Sequence, residues 1–286
     1  MPTVDIAAGT IHYEMAGPQD GRPVLFVHGY AMGASLWAPL SARLAARNLR
    51  CIAPTWPLGA HPSPLRAGAD RTLPGIAAMV DAFMAALGLE DVVLVGNDTG
   101  GVISQLVAVD HPDRLGALVL TSCDAFEHFP PPILKPFMLA ARTPITFRAA
   151  LQPLRLRFAR KRGFGALSHH DIDDLVRQWI EPGLHNAAIV EDLRHLTASL
   201  QQQTTLDAGA RLGEFAKPAL VAWSADDLFF PVEDGRRLAD ALPDARFELL
   251  EGARTFSMID QPGRLAELVA EFAGATSGHG GRDRRR

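Results

Sequence analysis

The sequence has little cysteine, no large excess of charge and no long apolar run. It has 286 residues, two cysteines and a formal net charge of −4 at pH 7. Two cysteines cannot build a disulfide framework, so we expect a reducing compartment and a cytoplasmic protein. The small net charge gives no attraction to nucleic acid, so no nucleic-acid partner is expected. No stretch has the length of a membrane span and the start has no basic and then apolar leader, so we expect neither a membrane partner nor a signal peptide.

Two further absences concern bound groups. No metal-ligand spacing of His, Cys, Asp or Glu is present, and the glycines at 96–101 do not form a Gly-x-Gly-x-x-Gly dinucleotide pattern. We therefore expect no metal and no cofactor. The hydrophobic content of 48% is enough for one large core with an inserted lid. We expect a monomer or a homodimer whose partner is a small-molecule substrate.

The sequence does contain a strand–turn–helix pattern, at residues 92–107. Val92 to Val95 form a short apolar run, a Gly-x-x-x-Gly turn follows at 96–100, and a helical pattern begins at Val102. Such a pattern is typical of a nucleophile elbow, in which a strained turn raises one side chain above the edge of a sheet. The residue at the tip of this turn is Asp98. The glycines leave room for the crossing backbones.

Strand and helix patterns alternate along most of the chain, which predicts an α/β fold with a mostly parallel eight-stranded sheet and helices on both faces. The alternation stops at about residue 126 and resumes after residue 207. We therefore predict a core domain of residues 1–125 and 208–275 and a helical cap of residues 126–207, inserted after the sixth strand. Residues 276–286 are rich in Gly and Arg and are expected to form a disordered tail.

Three motifs, in the expected order, make the chain resemble the α/β-hydrolase fold with a helical cap. His-Gly-Tyr at 28–30 matches the loop after the third strand, 96–101 matches the elbow, and 223–231 matches the loop after the seventh strand. The resemblance covers nearly the whole chain. It implies that the backbone N–H groups of Tyr30 and Thr99 form an oxyanion hole.

Aspartate at the tip of the elbow makes the chain resemble haloalkane dehalogenases, fluoroacetate dehalogenases and soluble epoxide hydrolases in particular. In that branch, a carboxylate attacks a saturated carbon and displaces halide or opens an epoxide, which gives an alkyl ester. Water then hydrolyses the ester, with help from a histidine that an acid orients. The resemblance implies that Asp98 is the nucleophile and Asp227 the orienting acid.

The sequence departs from this branch at two positions. The segment 252–262 matches the region of the catalytic histidine, but the histidine position is occupied by Thr255, with Arg254 before it. Threonine is a poor proton acceptor and arginine stays protonated near neutral pH. In addition, Thr99 stands where the branch usually has a tryptophan whose indole N–H helps to bind halide. The sequence therefore leaves open how the ester is hydrolysed and what would bind a halide.

Other residues at this edge of the sheet are candidates for the missing base. His128 follows the sixth strand and His195 lies in the predicted cap, and these are the two histidines that we consider first, although a packed or surface histidine is more common. Asp124 also follows the sixth strand, where some haloalkane dehalogenases keep an alternative triad acid. A turn-forming aspartate explains Asp124 equally well.

We expect a substrate pocket near these motifs, with aromatic walls. The residues predicted to contact substrate are His28, Trp56, Asn97, Asp124, Phe126, His128, Phe229, Thr255 and Phe256, with Phe230 as a further aromatic wall residue. Each aromatic residue is also consistent with ordinary core packing, and a histidine at position 28 is usually structural in this fold.

The sequence therefore predicts a hydrolase that acts on a small, apolar organic substrate through Asp98. Two alternatives remain open. The first is a lyase, isomerase or cyclase that uses Asp98 as a general base. The second is a ligand-binding protein derived from a hydrolase, because aspartate tolerates the strained elbow backbone better than most residues and could be kept for geometry alone.

Overall fold

Eight strands form one sheet in the order β1-β2-β4-β3-β5-β6-β7-β8. The computed structural model describes residues 1–277; most of the predicted tail, 278–286, lies outside the described residues. β2 runs antiparallel to both of its neighbours, β1 and β4, and the six strands from β3 to β8 run parallel to one another. This arrangement confirms the predicted, mostly parallel sheet. The strands are β1 (Thr3–Ile6), β2 (Gly9–Ala16), β3 (Arg22–Val27), β4 (Leu49–Pro54), β5 (Val92–Asp98), β6 (Leu115–Cys123), β7 (Ala219–Ser224) and β8 (Ala245–Leu250).

Helices cover both faces of the sheet. They are α1 (Ala38–Ala45), α2 (Leu73–Ala86), α3 (Thr99–Asp110), α4 (Lys135–Ala140), α5 (Pro144–Leu151), α6 (Arg157–Phe164), α7 (Asp173–His185), α8 (Ala187–Ser199), α9 (Gln202–Arg211), α10 (Val232–Ala241), α11 (Ser257–Asp260) and α12 (Pro262–Ala275). Short 3₁₀ helices connect several of them. Among residues 1–277, no helix is long and apolar enough to cross a membrane.

Side chains of β3 alternate between the two faces of the sheet, as the strand period of two requires. Val24 and Phe26 belong to the apolar cluster formed with α1 and α12, and Phe26 stacks on Trp37 with ring centroids 4.7 Å apart. Leu25 and Val27 belong to the opposite cluster, formed with α2 and α3. Burial on both faces explains why β3 is a continuous apolar run in the sequence.

Helices α4 to α9 lie between β6 and β7, where the sequence predicts the cap. The last of them, α9, continues through residue 207, and Ala208 on this helix is buried in the core cluster. The predicted boundary at residue 207 therefore falls inside a helix, α9, whose end packs on the core. The start of the predicted tail is also ordered: Thr276 is buried and its hydroxyl accepts a hydrogen bond of 2.7 Å from Arg22 Nη1.

The elbow is built from a strained residue and a close crossing of backbones. Asp98 ends β5 with φ 54° and ψ −134°, a region that residues other than glycine rarely adopt. α3 begins at the next residue, Thr99. A Cβ at Gly100 would overlap the carbonyl oxygens of Val27 and His28 at the end of β3. Glycine at position 100 therefore allows α3 to start close enough to β3 for the two ends to form one site.

We expect Gly100→Ala to lower the free energy of unfolding by about 1–3 kcal/mol, because the methyl group meets backbone atoms that cannot rotate away. Gly263→Ala in α12 is the matched control, since a Cβ there meets no heavy atom within 4 Å and alanine favours a helix. Urea denaturation of the two variants and the wild-type protein measures the difference. Equal stability of the two variants would show that the crossing at the elbow is not tight.

Candidate active site

A cavity of about 110 Å³ lies between the carboxyl edge of the sheet and the helices inserted between β6 and β7. A cavity of roughly 150 Å³ holds a benzene-sized molecule, so this one suits a small ligand. Its lining is mostly apolar and consists of Tyr30, Ala31, Met32, Asp98, Thr99, Asp124, Pro131, Ile133, Leu134, Phe137, Leu151, Leu154, Gly163, Phe164, Leu167, Leu193, Phe229 and Phe230.

The carboxylate of Asp98 lies at this cavity and is held by two backbone amides. Oδ1 accepts hydrogen bonds from the N–H of Tyr30 at 3.1 Å and from the N–H of Thr99 at 2.6 Å. The Tyr30 N–H belongs to the loop after β3, and the Thr99 N–H belongs to the start of α3, where the helix dipole favours a negative charge. Burial raises the pKa of Asp98 to about 6, although the two amides act in the opposite direction. Because both hydrogen bonds end on Oδ1, Oδ2 is the oxygen available to a ligand.

A second carboxyl group, that of Asp124, lines the same cavity. The hydroxyl of Thr99 donates to Asp124 Oδ2 at 2.9 Å, and Gln105 Nε2 donates to the backbone oxygen of Asp124 at 3.1 Å. Asp124 is 2% exposed, and its Oδ1 is buried without a hydrogen-bond partner among the described residues. Burial, together with the nearby charge of Asp98, raises the pKa of Asp124 well above its usual range.

Asp227 and Thr255 contact each other behind the cavity. Asp227 Oδ1 accepts hydrogen bonds from the N–H of Phe229 at 2.8 Å, from the N–H of Phe230 at 3.0 Å and from the Thr255 hydroxyl at 3.1 Å. Burial raises the pKa of Asp227. Thr255 is fully buried, and its backbone oxygen accepts a hydrogen bond of 2.9 Å from the Asn97 side chain. The acid position and the histidine position are thus neighbours, but a threonine occupies the second of them.

The two histidines considered first as replacement bases contact other carboxylates and do not line the cavity. His128 Nδ1 is 2.6 Å from a carboxylate oxygen of Asp234, and His195 Nε2 is 3.0 Å from a carboxylate oxygen of Glu191. Within the described part of the chain, no histidine lines the cavity. The hypothesis that His128 or His195 replaces the base is therefore not supported by their positions.

Several residues predicted to contact substrate have structural contacts instead. His28 is buried, and its Nε2 accepts a hydrogen bond of 2.8 Å from the N–H of Trp56. Burial lowers the pKa of His28 to about 4, so this ring is neutral at pH 7. The Trp56 indole donates to the carbonyl oxygen of Phe26 at 3.0 Å, which fixes it in the core below the sheet edge. Asn97 donates to Thr121 Oγ1 and to backbone oxygens, all in the interior.

The predicted aromatic wall is only partly present. Phe229 and Phe230 line the cavity, as does Asp124, whereas Trp56, Phe126 and Phe256 do not. The ring of Phe126 lies 4.1 Å below the Arg237 guanidinium, and Phe256 packs edge-to-face against Trp179. His28, Asn97, His128 and Thr255 also lie outside the cavity lining. The sequence predicts all of these residues near the carboxyl edge of the sheet. Their side chains nevertheless point into the protein interior or contact other partners.

The apolar walls that the cap contributes were not identified from the sequence. Three pairs spaced by three residues contribute to these walls: Leu134 with Phe137, Leu151 with Leu154, and Phe164 with Leu167. Each pair spans the end of an α-helix, since Leu134 precedes α4, Leu154 follows α5 and Leu167 follows α6. Because none of these pairs lies within one α-helix, helical periodicity alone does not identify these walls from the sequence.

Two curated relatives match almost the whole chain. Haloalkane dehalogenase 2 of Mycobacterium tuberculosis is 29% identical, and the match covers 94% of this chain and 93% of that protein. A 2-hydroxy-6-oxo-6-phenylhexa-2,4-dienoate hydrolase of Comamonas testosteroni is 25% identical, with 94% and 92% covered. By their names, the first relative is a dehalogenase of haloalkanes and the second is a hydrolase of a dienoate.

The fold of this chain also matches a solved structure and a family profile. The haloalkane dehalogenase of Bradyrhizobium elkani superposes with a TM-score of 0.79 at 18% identity, over 96% of this chain and 97% of that one. The profile of the family described as alpha/beta hydrolase fold matches residues 22–262. With its sheet order, its elbow and hydrolases as its relatives, the chain belongs to the α/β-hydrolase fold family.

Proposed function

We propose that this protein is a hydrolase in which Asp98 attacks a saturated carbon of a small apolar substrate, in the manner of dehalogenases and epoxide hydrolases. The observation that carries the proposal is the pair of N–H groups, from Tyr30 and Thr99, that donate to one oxygen of a carboxylate at a mostly apolar cavity. Such an arrangement leaves the other oxygen as the nucleophile and fixes its direction.

The same two amides support both halves of the reaction. Attack by Oδ2 makes an ester whose carbonyl oxygen is Oδ1. When water adds to that carbonyl carbon, negative charge develops on Oδ1, where the N–H groups of Tyr30 and Thr99 already point. Donors that are in place before the charge develops stabilise a transition state most effectively. The mostly apolar lining of the cavity favours a hydrocarbon-like substrate.

A second function is favoured by one specific observation. The pKa of Asp98 is raised to about 6 by burial, which is close to the pKa of a useful general base. A lyase or isomerase that uses Asp98 to remove a proton is therefore the alternative function. It differs from the first in forming no covalent bond to the carboxylate.

A mass measurement separates these functions. We expect the wild-type protein to gain the mass of one alkyl group on Asp98 when it is incubated with butyl bromide or butylene oxide and quenched within one turnover. Asp98→Asn keeps the shape of the side chain but removes the charge, and we expect at least a thousandfold slower labelling. Asp226→Asn is the control, because Asp226 is an exposed neighbour of the acid position and pairs with His169 at the surface.

Intact-protein mass spectrometry with peptide mapping gives the result. Equal labelling of the wild-type protein and the Asp98→Asn variant would contradict the proposed nucleophile. Ligand binding without any label on Asp98 would favour the general-base enzyme or a binding protein.

The pH dependence of alkylation gives a second prediction. The ionised form of Asp98 is the nucleophile, and burial raises its pKa to about 6. We therefore expect the rate of labelling by butyl bromide to rise about tenfold per pH unit below pH 6 and to be constant above about pH 7. An ordinary aspartate, with a pKa of about 3.9, would give a flat rate between pH 5 and 8. A flat profile would therefore show that Asp98 is not desolvated.

A further inference from the structure

We propose that Asp124 is the acid–base residue of this site and that epoxides, rather than alkyl halides, are its substrate class. The inference rests on the proposed function, since it assigns the proton transfers that accompany attack by Asp98. It departs from the family pattern, in which a histidine after the eighth strand acts on water.

The positions of the two carboxyl groups are linked by one residue. The Thr99 backbone N–H donates to Asp98 Oδ1 at 2.6 Å, and the Thr99 hydroxyl donates to Asp124 Oδ2 at 2.9 Å. In addition, the Asp124 N–H donates to the carbonyl oxygen of Asp98 at 3.3 Å. These contacts fix both side chains on the same cavity floor. Asp124 Oδ1 takes part in none of these contacts and is buried without a partner in the described chain.

Two carboxyl groups so close together in an apolar site do not both ionise. Burial raises the pKa of Asp98 to about 6, and burial together with the charge of Asp98 raises the pKa of Asp124 well above its usual range. We assign the proton of the pair to Asp124, because Asp98 Oδ1 accepts two amide hydrogen bonds whereas Asp124 Oδ1 is buried without a partner among the described residues. Environments that push two pKa values apart are how one site obtains both an acid and a base.

Among the described residues that line the cavity, no other side chain has a proton free to reach a substrate. The Tyr30 hydroxyl lies 2.6 Å from Thr197 Oγ1, which itself donates to the carbonyl oxygen of Leu193, so the tyrosine proton is directed to Thr197. The Thr99 hydroxyl donates to Asp124. In the described lining, no tryptophan, asparagine, glutamine or histidine is present to bind a halide ion. Protonated Asp124 is thus the group that can serve a leaving group.

This set of donors selects between leaving groups. Opening an epoxide generates an alkoxide, which needs a proton, whereas a departing halide needs stabilising N–H donors. In the first step, Asp98 Oδ2 forms a C–O bond to the epoxide carbon, the ring C–O bond breaks, and its oxygen takes the proton of Asp124. The product is a hydroxyalkyl ester on Asp98 with Asp124 ionised.

The second step uses the carboxylate that the first step generates. Asp124 takes a proton from water as the water oxygen bonds to the carbonyl carbon of the ester, and the charge on Oδ1 is held by Tyr30 and Thr99. Collapse breaks the ester bond, and the alkoxide takes the proton back from Asp124 to leave as the diol. The new carboxylic acid of Asp98 then gives its proton to Asp124, which restores the starting state with one water consumed.

The test compares two probes on two variants under single-turnover conditions. In Asp124→Asn, we expect labelling of Asp98 by butylene oxide to slow at least a hundredfold, because general acid–base catalysis contributes about that much or more. Labelling by butyl bromide needs no proton and should change less than about threefold. The butyl ester formed on Asp98 should persist at least a hundredfold longer than in the wild-type protein. Asp124→Glu should restore part of both losses, and Asp226→Asn should cause neither.

A structural role for Asp124 would lower labelling by both probes equally, and that result would overturn the inference. So would unchanged ester hydrolysis in Asp124→Asn, or a wild-type ester that is never hydrolysed; in both cases Asp98 remains the nucleophile. No label on Asp98 from either probe would instead contradict the proposed function itself. If Asp124→Asn does not fold, the pH dependence of the wild-type protein provides the test. The rate of labelling by butylene oxide should fall at high pH, where Asp124 loses its proton, while the rate of labelling by butyl bromide should stay constant. Parallel profiles for the two probes would overturn the inference.

Discussion

One hydrogen-bonded arrangement governs the site: Asp98 Oδ1 between the N–H groups of Tyr30 and Thr99. It depends on β3 and β5 being neighbours in the sheet, since Tyr30 follows the first and Asp98 ends the second. It depends also on Gly100, because a side chain there would keep α3 away from the end of β3. The parallel sheet and its packed helices hold the strained elbow in place, and the elbow directs the carboxylate into the cavity.

The proposed chemistry follows from the different hydrogen bonding of Asp98 and Asp124, the two aspartates that line the cavity. Asp98 accepts two amide hydrogen bonds and burial raises its pKa to about 6, whereas Asp124 accepts one hydrogen bond from a hydroxyl and burial raises its pKa well above its usual range. Asp227, by contrast, is engaged with Thr255 and the Phe229–Phe230 amides behind the cavity. In the proposed mechanism, the acid–base function has therefore moved from the loop after β8 to the end of β6, one strand from the nucleophile.

The fold and the elbow were predictable because they rest on local patterns. The run Val92–Val95, the turn glycines and the ordered motifs after β3, β5 and β7 give strand order and sheet edge. Side-chain direction was not predictable in the same way. Trp56 and Phe256 follow strands at the correct edge but turn inward, and His128 pairs with Asp234 far along the chain. β1, with four residues and one aspartate, is too short to recognise, and the cap faces that meet the cavity depend on tertiary packing.

A single turnover of butylene oxide in H₂¹⁸O shows whether Asp98 forms a covalent bond to the substrate. If Asp98 is the nucleophile, water attacks the ester carbonyl, so the peptide that contains Asp98 gains ¹⁸O and the first diol released carries the original carboxylate oxygen. If Asp98 only removes a proton from water, the ¹⁸O is found in the first diol and none in Asp98. We expect ¹⁸O in the peptide that contains Asp98; ¹⁸O found in the diol alone would show that Asp98 is not the nucleophile.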